Sequence, residues 1–458
     1  MPESWQNRRP VVDPKVTERV EDILRRVESG GADAVRALVA ELDGARLTDL
    51  FVTDTEWEAT ELADEDREAL SLAADQIRAF HEEQLAVITE GWTSLGEHER
   101  DGWAWKTDIS EEEPMPEGLL ELAARVAKQQ GPRTSGAVGQ RLLPVDTAGV
   151  YAPGGKASYP SSVLMNAIPA QVAGVERVAV ASPPDKDGQL PSALIAAADL
   201  ADVDVILKAG GAVAVAAFAF GIEGLPRVDV VVGPGNAYVN EAKRLLWGTV
   251  GADSYAASSE VAIIAFPDAP VAYAAADWLT QVEHSEDNVG VFFTTDEGYA
   301  DEVLADVERQ LTGAPNEWRM RAALRDFGAV IVGEEDAIFA AMNRMAPEHV
   351  SVLTQEPGPY LAKIRHAGCI VMGLDSPQAA GDFVAGPSHT LPTAGGARFA
   401  SPLNVMHFLR FQSVIRMERF DLERLGPAAE RIAALEGFPA HGNGFRVRFE
   451  AESPSEGE

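Results

Sequence analysis

The chain has one cysteine in 458 residues, Cys369, and no long apolar segment. A lone cysteine excludes an intramolecular disulfide and a cysteine-based zinc cage, and it suits a reducing cytoplasm. The longest apolar run, residues 212–220, falls well short of the roughly 18 residues that a membrane-spanning helix needs. The first residues, MPESWQNRRPVVD, have no apolar core of signal-peptide length. We therefore predict a cytoplasmic protein with no membrane partner.

Basic residues are scarce as well. Lys and Arg total 38 against 72 Asp and Glu, which gives a net charge of −34. Such a surface repels phosphate backbones, so a nucleic acid partner is not expected. Only eight of the basic residues are Lys. Adaptation to a salt-rich cytoplasm and a biased base composition would each explain this pattern, and we favour the first as a hypothesis.

Hydrophobic residues make up 46% of the chain, enough to bury the cores of several domains. Residues 14–90 show apolar positions at helical spacing, which predicts an N-terminal helical layer. From residue 145, short β-branched runs alternate with Ala-rich helical stretches, a pattern typical of parallel sheets covered on both faces. Strands are predicted at 145–151, 178–181, 203–208, 228–232, 261–266, 289–294, 329–332, 350–353 and 369–372. Helices are predicted at 161–174, 191–200, 212–221 and 422–435.

The predicted fold class is α/β, with two Rossmann-like, doubly wound parallel-sheet domains, an N-terminal helical layer and a C-terminal helical tail. An acidic, Pro-punctuated insertion at 106–136 contains one short helix at 119–129. The predicted domains are an N-terminal helical arm at 1–30, a first α/β domain at 31–149 plus 260–385, a second α/β domain at 150–259, and a C-terminal tail at 386–458.

Two glycine-containing loops in the second α/β domain are candidates for binding a dinucleotide such as NAD. Residues 233–238, GPGNAY, follow an apolar strand and open a helix, where free backbone N–H groups favour a phosphate. They lack the third glycine of the fingerprint G-x-G-x-x-G, so the match is incomplete. The loop 151–156, YAPGGK, has the same strand-to-helix context. Ordinary turn glycines are the alternative interpretation.

Several histidines have neighbours suited to a metal ion. Gln281 and His284 lie three residues apart, on one face of a helix end. Asp382 precedes a loop containing His389, and His441 follows a helix. Zinc accepts imidazole and carboxylate ligands, so His284, Asp382 and His441 could supply three points of a site. Spacing alone does not bring these residues together, and surface or satisfied core histidines are the alternative.

The dipeptide Glu348-His349 places a carboxylate beside an imidazole where a helix ends and a strand begins. Two such groups can divide proton transfers between different pKa values, which suits an alcohol oxidation followed by attack of water. For an isolated dipeptide, a helix-end Glu with a capping His is the default alternative.

In combination these motifs resemble the histidinol dehydrogenase family, over the whole length apart from the insertion and the acidic tail. The matching blocks are GVYAPGGKASYPSSVLMNAIPAQVAGV, VVVGPGNAYVNEAKR, QVEHSEDN, NRMAPEHV, GDFVAGPSHTLPTAGGARFASPL and LEGFPAH. The resemblance implies a four-electron, NAD-linked oxidation of L-histidinol to L-histidine through an aldehyde, the last step of histidine biosynthesis. It also implies one zinc ion per subunit and a homodimer in which the tail, 386–458, completes the partner's active site.

The resemblance also implies roles for individual residues. The zinc ligands fall on Gln281, His284, Asp382 and His441, which also touch the substrate. The acid/base pair falls on Glu348 and His349; His349 takes the alcohol proton and Glu348 activates the water. Further substrate contacts fall on Ser259, His389 and Glu436, and the NAD contacts on Tyr151 and Asn236.

The chain departs from the family pattern at three loops. Val213 stands where the family has a glutamine that contacts NAD, which removes a hydrogen bond of about 1 kcal/mol. The family's AGPSE loop reads AASSE at 256–260, so the backbone beside the substrate lacks a glycine and a proline. Ser388 replaces the usual Asn before the loop histidine.

These departures leave two alternatives. One is a related zinc and NAD dehydrogenase that oxidises another small alcohol, such as sulfopropanediol; Ser259-Glu260 favours the histidinol branch, because those relatives carry Thr-Asp there. The other is a catalytically silent binding protein, against which the complete ligand set and the intact Glu348-His349 pair argue.

Overall fold

The computed structural model describes residues 12–93, 104–105, 137–154, 158–254 and 258–450. The predicted insertion at 106–136, with its helix at 119–129, lies outside these residues. None of the described helices is both long and apolar enough to cross a membrane.

Among the described residues, three helices and two strands precede the first large sheet: α1 (Pro14–Leu42), α2 (Asp54–Glu58), α3 (Asp64–Thr93), β1 (Ala104–Trp105) and β2 (Ala137–Pro144). Helix α1 begins after Asp13, whose carboxylate accepts a hydrogen bond from the Lys15 N–H. Gly31, with φ at 51°, interrupts this helix with a kink. Thr53 and Glu56 form a capping box that begins α2. The predicted N-terminal helical layer is therefore present in the described residues.

The first large sheet alternates strands with helices: β3 (Thr147–Tyr151), α4 (Pro160–Val172), β4 (Arg177–Ser182), α5 (Ser192–Leu200), β5 (Val205–Lys208), α6 (Gly211–Phe220), β6 (Val230–Val232), α7 (Ala237–Leu245) and β7 (Gly251–Ala252). Its strands are parallel and follow the order β5-β4-β3-β6-β7. The chain thus starts in the middle of the sheet and winds outward in both directions. Apolar residues of α1, α6 and α7 form one core cluster with the sheet.

The second large sheet repeats this topology: β8 (Glu260–Ala265), α8 (Val271–Val282), β9 (Val289–Thr294), α9 (Glu297–Leu311), α10 (Glu317–Phe327), β10 (Gly328–Val332), α11 (Glu335–Met345), β11 (His349–Leu353) and β12 (Cys369–Met372). The parallel order is β10-β9-β8-β11-β12. Val261 and Ile263 face the cluster of α8, α9 and α10, whereas Ala262 and Ile264 face α11. Both faces of β8 are therefore buried, and the predicted α/β class with two doubly wound sheets is confirmed.

The remaining elements are α12 (Ala380–Phe383), β13 (Leu409–Arg416), α13 (Arg419–Leu435) and α14 (Pro439–Glu450). The chain divides into two compact units, of which the first comprises Met1–Leu85 and Pro144–Phe408, and the second Ala86–Leu143 and Leu409–Glu458. In the second unit, β2 lies between β1 and β13, and α13 packs along α14. Gly426 permits this packing, because a Cβ there would lie 2.8 Å from the Phe449 ring.

The observed boundaries differ from the predicted domains in several places. Strand β3 lies wholly in the first sheet, although the predicted boundary at 149/150 cuts it. Val35, Leu38 and Leu50 join the core of the first sheet, although residues 31–149 were assigned to the other α/β domain. An apolar helix face reveals that a segment is buried, but not which sheet it covers. The segment 386–408 belongs to the first unit, so the tail begins at Leu409.

Candidate active site

The predicted acid/base pair lies at the amino-terminal edge of the second sheet. Helix α11 ends at Met345, Ala346 adopts a left-handed conformation with φ at 49°, and β11 begins at His349. Because β11 lies between β8 and β12, the side chains at its start are enclosed. Glu348 is 6% exposed and His349 2%. The predicted helix end and strand start at this dipeptide are confirmed.

Glu348 is buried beside a second carboxylate. Burial raises the pKa of the Glu348 carboxyl well above its usual value, and the negative charge of Glu260 adds to the shift. Oε2 of Glu348 accepts a hydrogen bond from the Glu260 N–H at 2.9 Å, and the Ser259 side chain also bonds to the carboxylate. These bonds fix the position of Glu348, while its surroundings favour the protonated form.

His349 is a neutral base between two carboxyl groups. Burial lowers the pKa of His349 to about 3, and repulsion from His284 acts in the same direction. Within the described part of the chain, neither ring nitrogen makes a hydrogen bond of good geometry. Nδ1 lies 3.8 Å from Glu348 Oε2, and Nε2 lies 3.6 Å from Asp382 Oδ1. An imidazole in this position can accept a proton and pass it on.

Asp382 and His389 are brought to the pair by α12 and the loop that follows it. Burial raises the pKa of Asp382 to about 6, whereas the nearby His284 acts to lower it. Burial lowers the pKa of His389 to about 4. His389 Nδ1 lies 3.0 Å from the Asp382 carbonyl oxygen, and its Nε2 lies 3.2 Å from the Ser162 hydroxyl. Because Ser162 belongs to α4, which follows β3, this contact connects the pair to the first sheet.

Gln281 and His284 occupy the end of α8, as predicted. Gln281 is 2% exposed, and its Oε1 accepts a hydrogen bond of 3.1 Å from the Gln378 side chain. The Gln281 carbonyl oxygen accepts a second bond, from Asn288 Nδ2 at 2.8 Å. His284 is exposed, yet it lies close enough to Asp382 and His349 to influence the pKa of each. The first unit therefore brings His284, His349 and Asp382 close together, and Gln281 precedes His284 by three residues.

These donors fit a divalent cation in part. Within the described segments of the chain, no three His, Cys, Asp or Glu side chains are grouped so that they could hold a metal ion. His284 and Asp382 are two conventional zinc ligands, and Gln281 offers an amide oxygen. Among the described residues, the buried Asp382 carboxylate forms no ion pair with an Arg or Lys side chain, and the C-terminal, negative dipole end of the nearby helix α8 lies at this edge. A further conventional ligand would complete the set.

Glu436 and His441 belong to the second unit and are both exposed. Glu436 caps the end of α13. His441 lies in the first turn of α14, a helix that the sequence analysis missed, and its ring is 5.2 Å from that of Phe438. Both predicted site residues are thus presented at the junction between two helices.

The predicted NAD contacts lie at the carboxyl-terminal edge of the first sheet. Tyr151 ends β3, and its hydroxyl oxygen accepts a hydrogen bond from the Gly211 N–H at 3.2 Å. Asn236 caps α7, accepting bonds from the Tyr238 and Val239 N–H groups. Residues 233–236, hereafter the glycine loop, connect β6 to this cap. The N-termini of α6 and α7 both point to this edge, and such termini favour phosphate groups.

Three further polar residues shape the site: the sequence indicated no role for Gln378, and it singled out Glu260 and Ser388 only as part of the family pattern. Gln378 donates to Gln281, and the buried Glu260 carboxylate accepts a bond from the Ala394 N–H at 3.2 Å. Ser388 accepts a bond from the Thr390 N–H, which fixes the loop before His389. The only sequence signal for these residues was their place inside or beside the matched blocks. Val213 is 1% exposed and packs in the core, so its side chain contributes to packing.

Two doubly wound parallel sheets, with buried ionisable side chains at one sheet edge, are typical of α/β enzymes. The family model described as histidinol dehydrogenase matches residues 6–107 and 122–449, and the unmatched stretch lies inside the predicted insertion. The chain belongs to the histidinol dehydrogenase family, whose members are oxidoreductases that catalyse the last step of histidine biosynthesis.

Full-length relatives agree with this assignment. A histidinol dehydrogenase of Halalkalibacterium halodurans is 39% identical over 437 residues, covering 94% of each chain. One of Syntrophotalea carbinolica is 41% identical over 438 residues, covering 94% of this chain and 92% of the relative. The crystal structure of histidinol dehydrogenase from Elizabethkingia anophelis superposes with a TM-score of 0.83 at 29% identity, covering 98% of this chain and 97% of the other.

Proposed function

We propose that the chain oxidises L-histidinol to L-histidine through the aldehyde, with NAD as the hydride acceptor in both steps. The observation that carries this proposal is the buried Glu348-His349 pair, which lies beside Asp382 and is connected through His389 and Ser162 to the sheet that bears the glycine loop. Family membership supplies the substrate. A cytoplasmic location suits the single, reduced Cys369.

In the first step, His349 takes the proton of the alcohol. With a pKa of about 3, His349 is unprotonated at neutral pH, so a ring nitrogen is available as an acceptor. The neighbouring Asp382 carboxylate, and Glu348 when it is ionised, would stabilise the imidazolium that forms. Tyr151 and Asn236 would hold NAD at the other sheet, where it would serve as the acceptor for the hydride from the carbinol carbon.

In the second step, Glu348 activates the water that adds to the aldehyde. This role requires the ionised carboxylate, although burial favours the protonated form. The bonds from the Glu260 N–H and Ser259 hold the carboxylate in one orientation, so it is directed when it ionises. A second NAD held by the same residues would accept the hydride from the hydrated aldehyde, whose oxidation would yield the carboxylate of L-histidine.

Gln281, His284 and Asp382, together with His441, would hold one zinc ion per subunit. When bound, the ion would supply a positive charge that coordinates the amine and imidazole nitrogens of the substrate and so positions the carbinol. Ser259, His389 and Glu436 would contact the remaining polar groups of the substrate. The buried, unneutralised Asp382 carboxylate and the end of α8 support a cation here.

We also propose a homodimer with exchanged tails, in which His441 and Glu436 serve the partner's site. Exposed apolar side chains support this, because both units carry them. In the first unit, a cavity of about 1140 Å³ includes Trp247 and Phe399, which are 72% and 89% exposed. In the second unit, Ile415 and Leu435 are 70% and 73% exposed. Apolar surfaces of this kind are typical of subunit interfaces.

The stoichiometry of the reaction tests the proposed function. With zinc-loaded protein and excess NAD, we expect two NADH and one L-histidine for each L-histidinol consumed, measured by absorbance and chromatography. The control substrate is a small hydroxysulfonate such as sulfopropanediol, which should not turn over. One NADH per histidinol, or turnover of the hydroxysulfonate alone, would contradict the assignment.

A complementation experiment tests the exchanged tails. Glu348→Gln lies in the first unit and His441→Ala in the second, and each variant should be inactive alone. In a mixed dimer with exchanged tails, one site carries both changes and the other carries neither, so activity returns. Mixing Glu348→Gln with Asp382→Asn is the control, because both changes lie in the first unit and no intact site forms. Absence of recovery in the first mixture would overturn the exchange.

A further inference from the structure

A buried ion pair lies directly beneath the glycine loop. Lys243 of α7 and Asp253, just beyond β7, are joined by a contact of 2.7 Å between Nζ and Oδ1. Their side chains are only 4% and 3% exposed. Neither residue was a sequence-based candidate for the site. Burying two charges is costly unless additional hydrogen bonds compensate, so the other partners of the pair matter.

Both additional partners are backbone groups of Gly233. The second carboxylate oxygen of Asp253 accepts a hydrogen bond from the Gly233 N–H at 2.8 Å. The Lys243 ammonium donates to the Gly233 carbonyl oxygen. The pair therefore holds the first residue of the glycine loop at its N–H and its C=O together, and the three residues form a closed ring of contacts.

Gly233 needs such support because its conformation is unusual. Its φ is 114°, and a Cβ there would lie 2.2 Å from the Tyr151 carbonyl oxygen. The loop thus passes in close contact with the end of β3, beside a predicted NAD contact. Farther along, Asn240 Nδ2 donates to the Gly235 carbonyl oxygen at 2.9 Å. The direction in which the loop presents its backbone to a phosphate is consequently set by buried side chains.

We propose that Lys243 and Asp253 are positioning residues that hold the glycine loop in its cofactor-binding conformation. This inference rests on the proposed NAD-linked function. It differs from a purely structural role, in which the pair would stabilise the fold and leave cofactor affinity unchanged. Lys243 and Asp253 act through Gly233 and need not touch the cofactor.

The chain offers a matched control in a second buried lysine. Lys208, at the end of β5, pairs with Glu56 at 2.5 Å, and its side chain is 5% exposed. Among the described residues, Lys208 forms no hydrogen bond with the glycine loop. Lys208→Met therefore removes a comparable ion pair at a different place. Lys243→Met keeps the length of the apolar stem in the same way. If Lys243→Met and Lys208→Met lost equal thermal stability, the result would say nothing about cofactor binding. The affinity for NADH therefore has to be measured separately.

The experiment compares NADH dissociation constants, by NADH fluorescence, for the full-length wild type, Lys243→Met, Lys208→Met and Asp253→Asn. We expect Lys243→Met to bind NADH about tenfold more weakly, and Lys208→Met to bind as the wild type does. Asp253→Asn, which retains the shape and can still accept from Lys243, keeps the test decisive if Lys243→Met fails to fold. It should weaken NADH binding in the same direction, because one bond to Gly233 is lost.

Hydrogen exchange provides a readout that needs no cofactor. Peptides that contain residues 233–239 should exchange faster in Lys243→Met and Asp253→Asn, and at the wild-type rate in Lys208→Met. Wild-type NADH affinity in both loop variants, or equal weakening in Lys208→Met, would overturn this inference and leave the proposed function intact. A wild-type chain that binds no NADH would overturn the proposed function and this inference with it.

Discussion

The two large sheets share one strand order, yet they present opposite edges to the candidate site. In the first sheet, Tyr151 and the glycine loop follow the carboxyl ends of β3 and β6. In the second, Glu348 and Glu260 lie at the amino ends of β11 and β8. Open parallel sheets usually bind ligands at their carboxyl ends, so the second sheet departs from that rule.

The ligand expected at each edge accounts for the difference. At a carboxyl edge, helices begin, and the N-termini of α6 and α7 offer partial positive charge and free N–H groups to phosphates. At an amino edge, helices end, and the C-termini of α8 and α11 favour a cation. One topology can therefore supply a dinucleotide site from one sheet and a metal and proton-transfer site from the other. Backbone groups dominate the first site, and buried side chains dominate the second.

The largest effect should come from the amino edge. Glu348→Gln removes the group that we propose to activate water, so we expect oxidation of the aldehyde to slow by roughly 10²- to 10⁴-fold and oxidation of the alcohol to slow less. NADH binding should be unchanged, since the other edge is intact. Stopped-flow measurement of the first and second NADH, starting from histidinol and from the aldehyde, separates the steps. Glu356→Gln, an exposed position beyond the other end of β11, is the control.

The raised pKa of Glu348 predicts that the rate of the second step depends on pH. Because the pKa of Glu348 is raised, its ionised form, which the proposed role requires, accumulates only as pH rises through that value. The second step should therefore accelerate with increasing pH in the wild type and lose this acceleration in Glu348→Gln. Equal slowing of both steps, with an unchanged pH profile, would contradict the separate role of Glu348.

An intermediate effect should come from the carboxyl edge. Gly233→Ala places a Cβ against the Tyr151 carbonyl oxygen, so the glycine loop must move and NADH should bind about tenfold more weakly. Gly373→Ala, after β12 in the other sheet, is the matched control: its φ is 91°, but the nearest atom to a Cβ is 3.5 Å away. That change should lower stability by about 1 kcal/mol and leave NADH affinity unaltered. Equal NADH affinities in Gly233→Ala and Gly373→Ala would contradict the assignment of NADH binding to the carboxyl edge of the first sheet.

Much of the framework could be predicted from sequence, because the strands of both sheets are short apolar runs buried on two faces. The strand at 289–294 and that at 369–372 match their predicted bounds. Strand β13 was missed because most of its side chains are exposed, so it shows no apolar alternation. Helix α14 was also missed, since its sequence, PAHGNGFRVRFE, contains two glycines and begins with a proline.

The site was predictable to the extent that its residues lie in recognisable blocks. Glu348 and His349 were placed at a helix end and strand start, which already implied the amino edge. The sequence did not identify Lys243, Asp253 and Gln378. A polar residue that is buried cannot be distinguished from an exposed one in the sequence, because its burial depends on partners elsewhere in the fold. Their partners are 10 to 97 residues away along the chain. Such contacts depend on tertiary packing and carry no local pattern.

The smallest expected effect concerns the loss of folding stability that a buried, ionised carboxylate causes at the amino edge. Asp277 of α8 is 6% exposed, and burial raises its pKa to about 6 from the usual 3.8. Its Oδ1 accepts a bond from the Gln378 N–H, whereas Oδ2 has no hydrogen-bond partner among the residues that the structure describes. An acid whose pKa is raised on folding destabilises the fold when it is ionised, so the penalty is full above pH 6 and absent below pH 3.8.

Asp277→Asn should therefore stabilise the metal-free protein by about 1 kcal/mol at pH 7, since the lost charge penalty is partly offset by a buried amide N–H₂ without a partner. The difference should shrink as pH falls from 6 and vanish near pH 4, measured by urea unfolding across this range. Asp301→Asn, an exposed position on α9, is the control and should show no such trend. The opposite result would be a variant that, compared with the wild type, is less stable at pH 7 than at pH 4. The buried Asp277 charge would then stabilise the fold, and the acidic groups at the amino edge would impose no stability penalty for a bound cation to relieve.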